Sequence, residues 1–548
     1  MRADVIRRSL GAALAAAAAL AAGASTQSGP ASCDRALPPL RTVRGMPVGP
    51  SSCVMQERPV TENGKTFTRI DVGLNGTVDG YLAKVGDYKE YFTNAPDLVF
   101  PQTWGPREIF FGVASYERDK GAAMTLLLPS RDAWNKKAFV MVHGRGVSFK
   151  EGSLKPWDRN ADPAHPAADL DKYDLLLVSK GYAVVKTRRT TTENLGEITT
   201  KLEDGSTVDY AAFNDTAHYV IDFAGVADTM IAERLGSAPL RTYYYGHSAG
   251  ARIGHTLNYE AGLNTRRDGK RAFDGLLDDD PAAGTWYPVI MKDGKDVLFA
   301  SEKDKASFVP MIDVAHQMYN NIWPPKHPAY MSNSYLENKR NNAKILREKG
   351  IANYRMYEVR SISHSGGENL PDGKRGPIEI LDLSKMMDRF VDLLDAWVDR
   401  GVAPPPTRSD WPELGGGRDG AVERPALAFP EVACPLGVYY NYPETTSATT
   451  AFAAFTGEGI EPLNEKKVFV DMNRNGVWDY RETATEAWHR LGLLPSGETL
   501  TRERYTACVE RAAASLRQDG FFSAATAAWY VTQAKTAELH ATRSKAIQ

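Results

Sequence analysis

The stretch Leu240-Arg241-Thr242-Tyr243-Tyr244-Tyr245-Gly246-His247-Ser248-Ala249-Gly250-Ala251-Arg252-Ile253-Gly254-His255-Thr256-Leu257 decides how the rest of the chain is read. Its first six residues are β-prone, and residues 251–257 can continue as a helix. Between them stands Gly-x-Ser-x-Gly, with Ser248 at the middle of a sharp strand-to-helix turn. The flanking glycines relieve the crowding such a turn imposes. The helix before this strand carries Tyr219, Phe223, Val226 and Met230 on one face, and Gly236 is placed to end it.

Further out, apolar runs alternate with amphipathic helical stretches. The runs are Ile109 to Ala114, Ala123 to Leu128, Ala138 to His143, Tyr182 to Lys186, Leu240 to Tyr245, Val297 to Ala300 and Tyr354 to Val359. Seven candidate strands separated by helices predict an α/β class protein with one mostly parallel, doubly wound sheet. A long helix, about Leu383 to Arg400, carries Met387, Phe390, Leu394 and Trp397 at helical spacing and stops at Gly401, ahead of Pro404-Pro405-Pro406. The main boundary is therefore expected near residue 405, giving a catalytic domain over 108–405 and a C-terminal region over 406–548. Residues 25–107, rich in Pro, Gly and Thr, read as an N-terminal extension with short strands at Thr68 to Val72 and Gly80 to Leu82. In the C-terminal region a helix is expected from about Arg502 to Gln518, with Tyr505, Cys508, Val509, Ala512 and Leu516 on its apolar face.

A serine hydroxyl is a poor nucleophile until a base takes its proton, so Ser248 requires a histidine from elsewhere in the chain. Of the ten histidines, His316, His327, His364, His489 and His540 lie beyond the helix that follows Ser248. His364 stands in a loop directly after the strand Tyr354 to Val359 and is the expected base. The acid that orients it is expected at Asp304, in the acidic loop after Val297 to Ala300. Glu302, Asp313 and the run Asp278-Asp279-Asp280 are its rivals. A developing oxyanion needs donors, expected from the backbone N–H of Ala249 and from Gly144 or Arg145 in His143-Gly144-Arg145-Gly146, at the end of another strand.

With these residues in this order, oxyanion loop, serine, acid, histidine, the chain resembles an α/β-hydrolase-fold serine esterase over about residues 108–400. More loosely it is similar to secreted tannase-like and feruloyl-esterase-like enzymes and to some polyester hydrolases. The resemblance implies an acyl-enzyme mechanism on a small-molecule or polymeric ester. Two other readings stand beside it: a serine peptidase with the same triad, and a non-catalytic binding protein on a hydrolase scaffold. Trp286, Tyr287, Trp323 and Tyr330 could line an acyl or aryl pocket, with Trp323 to Tyr330 on an insertion overhanging the site.

In the C-terminal region, Asp471, Asn473, Asn475, Gly476, Asp479 and Glu482 occupy positions one, three, five, six, nine and twelve of an EF-hand loop. The backbone carbonyl of Val477 would add a ligand. Since Lys467 to Val470 before it looks like a strand, the expectation is one structural Ca2+ that takes no part in bond cleavage.

The ends and the composition bound the compartment and the partners. Arg2, Arg7 and Arg8 precede an Ala/Leu run from Leu10 to Ala22 and a cleavage site after Ala24, so residues 1–24 read as a signal peptide, of the general secretory or twin-arginine kind. That run is too short for a retained membrane span. Its removal moves the formal charge of the 548-residue chain from -2 to about -4, and with no basic block in the sequence no nucleic-acid partner is expected. A secreted or periplasmic protein is expected. Cys33, Cys53, Cys434 and Cys508 suit an oxidising compartment, and proximity pairs Cys33 with Cys53 and Cys434 with Cys508.

Overall fold

The computed structural model describes residues 52–75, 121–143, 172–188, 214–259, 262–281, 298–317, 334–360, 383–411, 425–440 and 484–537, with shorter pieces between them. A ten-stranded sheet runs through the molecule. Its strands are β1 (Ala31–Ser32), β2 (Ser52–Glu62), β3 (Lys65–Asn75), β4 (Gly121–Leu128), β5 (Lys137–His143), β6 (Ala183–Arg188), β7 (Arg241–His247), β8 (Gly275–Asp279), β9 (Met311–His316) and β10 (Tyr354–Val359). Their spatial order is β1-β2-β3-β4-β6-β5-β7-β8-β9-β10. The six strands from β6 to β10 are mutually parallel, and β4 lies antiparallel to both of its neighbours. This is the mostly parallel sheet of the α/β-hydrolase fold that the sequence resembled.

Side-chain alternation sorts each strand between two cores. Val140, Val142, Leu276, Met311 and Met356 face one side, where α2 (Asn214–Leu235), α3 (Ala249–Tyr259) and α4 (Ser334–Glu348) pack. Phe139, Met141, Leu277, Ile312 and Tyr357 face the other, covered by α1 (Lys172–Ser179), α5 (Ser384–Arg400), α6 (Arg502–Gln518) and α7 (Ala524–Thr536). A central sheet buried on both faces needs this two-sided apolar supply. Gly236 and Gly401 end α2 and α5 with φ of 92° and 67°, the left-handed cap expected of them.

Three expectations are corrected. The hairpin β2–β3 pairs in unbroken register with β4, so the supposed N-terminal extension supplies part of the main sheet. Its turn is Asn63-Gly64, both at positive φ (50° and 73°), the sequence pair that most favours a two-residue hairpin. Gly80 to Leu82 and Ile109 to Ala114 lie outside the described residues. Second, Leu298 and Phe299 form a buried turn in which Phe299 has φ 58°, a value no strand permits. The strands of the main sheet in that part of the chain are β8 and β9, whose apolar pattern is interrupted by Asp278, Asp279 and Asp313; the short pair Met291–Lys292 and Lys295–Asp296 belongs to a separate sheet. Third, the boundary near residue 405 does not separate two cores. Phe521, from beyond it, packs edge-on against Tyr357 of β10 and Phe390 of α5, with ring centroids 4.9 and 6.2 Å away. The disulfide Cys434–Cys508, Cα–Cα 6.0 Å, pins the turn Pro430–Ala433 to α6 as expected. Among the described residues no helix is long and apolar enough to cross a membrane.

Candidate active site

β7 ends in Gly246-His247 and α3 begins at Ala249, which leaves Ser248 as the whole turn. Ser248 sits at φ 60°, in the left-handed region that an L-residue occupies at a cost of about 1 kcal/mol or more. The glycines on either side are required by space. A Cβ on Gly246 would stand 2.5 Å from the Gly250 carbonyl oxygen, and one on Gly250 would stand 2.1 Å from the carbonyl oxygen of Val142 on β5. The turn is tied down as well: the Ser248 N–H donates to the Asp279 carbonyl at 3.0 Å, and the Tyr244 hydroxyl donates to the Gly250 carbonyl at 2.6 Å. Ser248 is half-buried, while His247 before it is buried. Ala249 opens α3, so its N–H has no acceptor within the helix and lies at the positive end of the helix dipole.

Beside Ser248, at the carboxyl ends of β8 and β9, lies a buried charge network. The Asp279 carboxylate accepts from the Tyr245 hydroxyl at 2.8 Å and ion-pairs with His316 Nε2 at 2.9 Å. The other imidazole nitrogen of His316 is 3.6 Å from Asp280, which also pairs with the Lys339 ammonium of α4. Burial works against the charged form of Asp279. His316 by charge and contact, His247 by charge and the Tyr245 hydroxyl by hydrogen bonding outweigh burial and hold its carboxyl below the usual range. Burial likewise opposes the His316 imidazolium, yet Asp280 and Asp279 raise it above the ordinary histidine value against the charge of Lys339. His316 thus presents both ring nitrogens to carboxylates and is poorly placed to take a proton from a serine.

The predicted site residues fall as follows. His364, Gly144 and Arg145 lie outside the described residues, as do Trp286, Tyr287 and the insertion from Trp323 to Tyr330. The strands that lead to them end at the right edge: β5 and β7 pair through Val142↔Gly246 and His143↔His247, and β10 ends at Val359. Asp304 is a correction. It sits on the one-turn helix Glu302–Ser307, where its carboxylate accepts from the Ser301 hydroxyl at 2.6 Å in a cap. That helix leads into the amino end of β9 through Val309, whose N–H donates to Asn258 Oδ1 at 3.0 Å. Asn258 is ten residues along α3 from Ser248, about 15 Å at the rise of a helix. Asp304, and its rival Glu302 with it, therefore belong to the opposite edge of the sheet. Asp278 and Asp313 are buried within the strands, whereas Asp279 and Asp280 reach the Ser248 edge. His316 and its two aspartates were missed as a group; the signal was the Asp279-Asp280 step closing a short apolar run.

Of the calcium loop, Asp471, Asn473, Asn475, Gly476, Val477 and Glu482 lie outside the described residues. The backbone of Asp479 is in a two-residue strand, Asp479–Tyr480, paired antiparallel with Phe469–Val470. Cys33 is also outside them, and Cys53 is described only by its backbone in β2.

No protein-family model matches the chain, and no curated protein does. Solved structures it is similar to include the esterase Est22, at 14% identity and TM-score 0.26, over 44% of this chain and 68% of that one. Another is LpqC, a poly(3-hydroxybutyrate) depolymerase from Bordetella parapertussis, at 13% identity and TM-score 0.26, over 64% of this chain and 91% of that one. A third is an esterase from Pyrobaculum calidifontis, at 14% identity and TM-score 0.24, over 44% and 72%. Likeness at this level says nothing of this chain's substrate, and its chemistry is read from its own residues.

Proposed function

We propose that this chain is an exported serine hydrolase that cleaves carboxylic esters through an acyl-enzyme. The observation that carries the reading is Ser248 at φ 60° between two glycines that admit no side chain, at the carboxyl edge of a parallel sheet and the head of a helix. Ser248 Oγ attacks the ester carbonyl while its proton passes to the imidazole of His364. The alcohol then leaves with that proton as the acyl–oxygen bond breaks. Water, deprotonated by the same imidazole, hydrolyses the acyl-serine and restores the enzyme. The Ala249 N–H and a second N–H from Gly144 or Arg145 take the oxyanion. The carboxylate that steadies the imidazolium is assigned to the Asp279-Asp280 step in place of Asp304, because those are the rivals at the Ser248 edge.

The test is a panel of p-nitrophenyl esters of short, long and aryl acids, with a p-nitroanilide peptide in parallel and Ser248→Ala as blank. Ester turnover and fluorophosphonate labelling are expected of the parent chain and of neither in the variant. Equal labelling of Ser248→Ala would refute the reading, and preference for the anilide would make the chain a peptidase. His364→Ala and one of Asp279→Asn or Asp280→Asn should each lose about 10⁴ in turnover. As a companion proposal, Asp471, Asn473, Asn475, Val477, Asp479 and Glu482 bind one structural Ca2+; equilibrium dialysis at millimolar calcium that finds none bound removes it.

A further inference from the structure

Leu276, Met311, Tyr354 and Met356 mark the face of the sheet that α3 covers, and amid these side chains the same face carries Asp278 and Asp313. These two are register partners on β8 and β9, so their carboxylates lie side by side. His255 of α3 descends onto them, with Nε2 3.0 Å from Asp313 and 3.9 Å from Asp278. All three side chains are at most 1% exposed. The Tyr354 hydroxyl donates to one Asp313 oxygen at 2.8 Å. Among the described residues the other Asp313 oxygen, and both oxygens of Asp278, meet no donor. An unpaired carboxylate sealed in a protein interior is strongly disfavoured without a counter-charge or a proton. The helix has been cleared for it: a Cβ on Gly254 would stand 2.1 and 2.2 Å from the two Asp278 oxygens.

We propose that His255, Asp278 and Asp313 form a closed structural site for one divalent transition-metal ion of the zinc–manganese class. One ligand atom from each lies within 4.8 Å of the others. Ligand bonds of about 2.1 Å at the tetrahedral angle hold donors about 3.4 Å apart, so side-chain adjustments of about an ångström bring the three atoms into range. An imidazole beside carboxylates suits zinc or manganese better than calcium or magnesium, which favour all-oxygen shells. The Tyr354 hydrogen bond fixes the orientation of one ligand, as outer partners of metal ligands do. Full burial leaves no room for substrate, so the ion clamps α3, the helix that begins after Ser248, to β8 and β9.

The decisive measurement is metal content of the untagged full chain, folded with both ions present, dialysed against a weak chelator and analysed by mass spectrometry. About one equivalent per chain is expected, falling at least ten-fold in Asp278→Asn and in His255→Gln, with both variants melting lower than the parent. Anomalous scattering should place the ion between the three side chains. Should either variant fail to fold, visible absorption of the cobalt-loaded parent reads nitrogen and carboxylate ligation directly. The idea is overturned if the parent holds less than a tenth of an equivalent, or if both variants keep the parent's content. It is also overturned if Asp278→Asn, neutral and of the same shape, melts at or above the parent, for then a proton shared by the two aspartates occupies the place given to the cation.

Discussion

At Ser248 the protein accepts backbone strain to present one hydroxyl, and that strain can be measured. Ser248→Gly removes the penalty of φ 60° and should raise stability by about 1 kcal/mol, while Ser248→Ala keeps the strain and should not. Both should be inactive, so the comparison of their thermal midpoints reports on the turn alone; equal midpoints would mean the turn is unstrained. Gly250→Ala is the converse case. Its Cβ would enter the Val142 carbonyl at 2.1 Å, and displacing β5 from α3 should cost about 1–3 kcal/mol or more. A parent-like melting curve for this variant would contradict the tight approach.

At the level of elements, α5 is held to the sheet by a stripe of four aspartates, Asp388, Asp392, Asp395 and Asp399, spaced to share one side of the helix. Two lysines at the near edge of the sheet each grip a pair: Lys180 meets Asp388 and Asp392, at 2.6 and 2.7 Å, and Lys137 meets Asp395, at 2.7 Å, and Asp399. Burial works against the Lys137 charge, but hydrogen bonds and charge from both aspartates raise its ammonium above the usual range. Tyr243 donates its hydroxyl to Asp395 at 2.7 Å from the strand that carries Ser248. Lys137→Met should therefore leave Asp395 and Asp399 short of a partner and cost about 1–3 kcal/mol in denaturant unfolding. A loss below a few tenths would show these pairs to be as weak as ordinary surface ones. The apolar face of α5 is legible in the sequence because burial imposes helical spacing on it. The acidic stripe stayed unread, since nothing local to residues 388–399 says that Lys137 and Lys180 lie opposite.

For the molecule as a whole, the buried pair of Asp279 and His316 sets a pH window. Asp279, depressed in the folded state, adds stability above about pH 4, which is lost as pH falls through its lowered value. His316, raised in the folded state, adds stability that is complete below about pH 6.5 and fades as pH rises through its raised value. This pair should contribute most between about pH 4 and pH 6.5, and His316→Gln should flatten the alkaline side of a stability-against-pH curve. An unchanged alkaline limb would remove His316 as its cause. The Cys434–Cys508 bridge closes a separation of 74 residues and ties the last helices to the core. Reduction should cost roughly 4 kcal/mol on chain-entropy grounds, seen as a lower unfolding midpoint with reductant; a shift near zero would argue that α6 and α7 dock without it.

Local rules in the chain were enough for the turn at Ser248, the strands β5 and β7, and the caps at Gly236 and Gly401. Each depends on neighbours within a few residues, so spacing and residue type carry it. The hairpin at Asn63-Gly64 was equally local and was passed over. Which acid stands near Ser248 was another matter: Asp304 and Asp279 look alike in the sequence, and only the parallel pairing of β7, β8 and β9 sends one to the amino edge and the other to the serine. Contact between Asp278, Asp313 and His255 likewise comes from strand register and the seating of a helix, long-range packing that no window of sequence encodes.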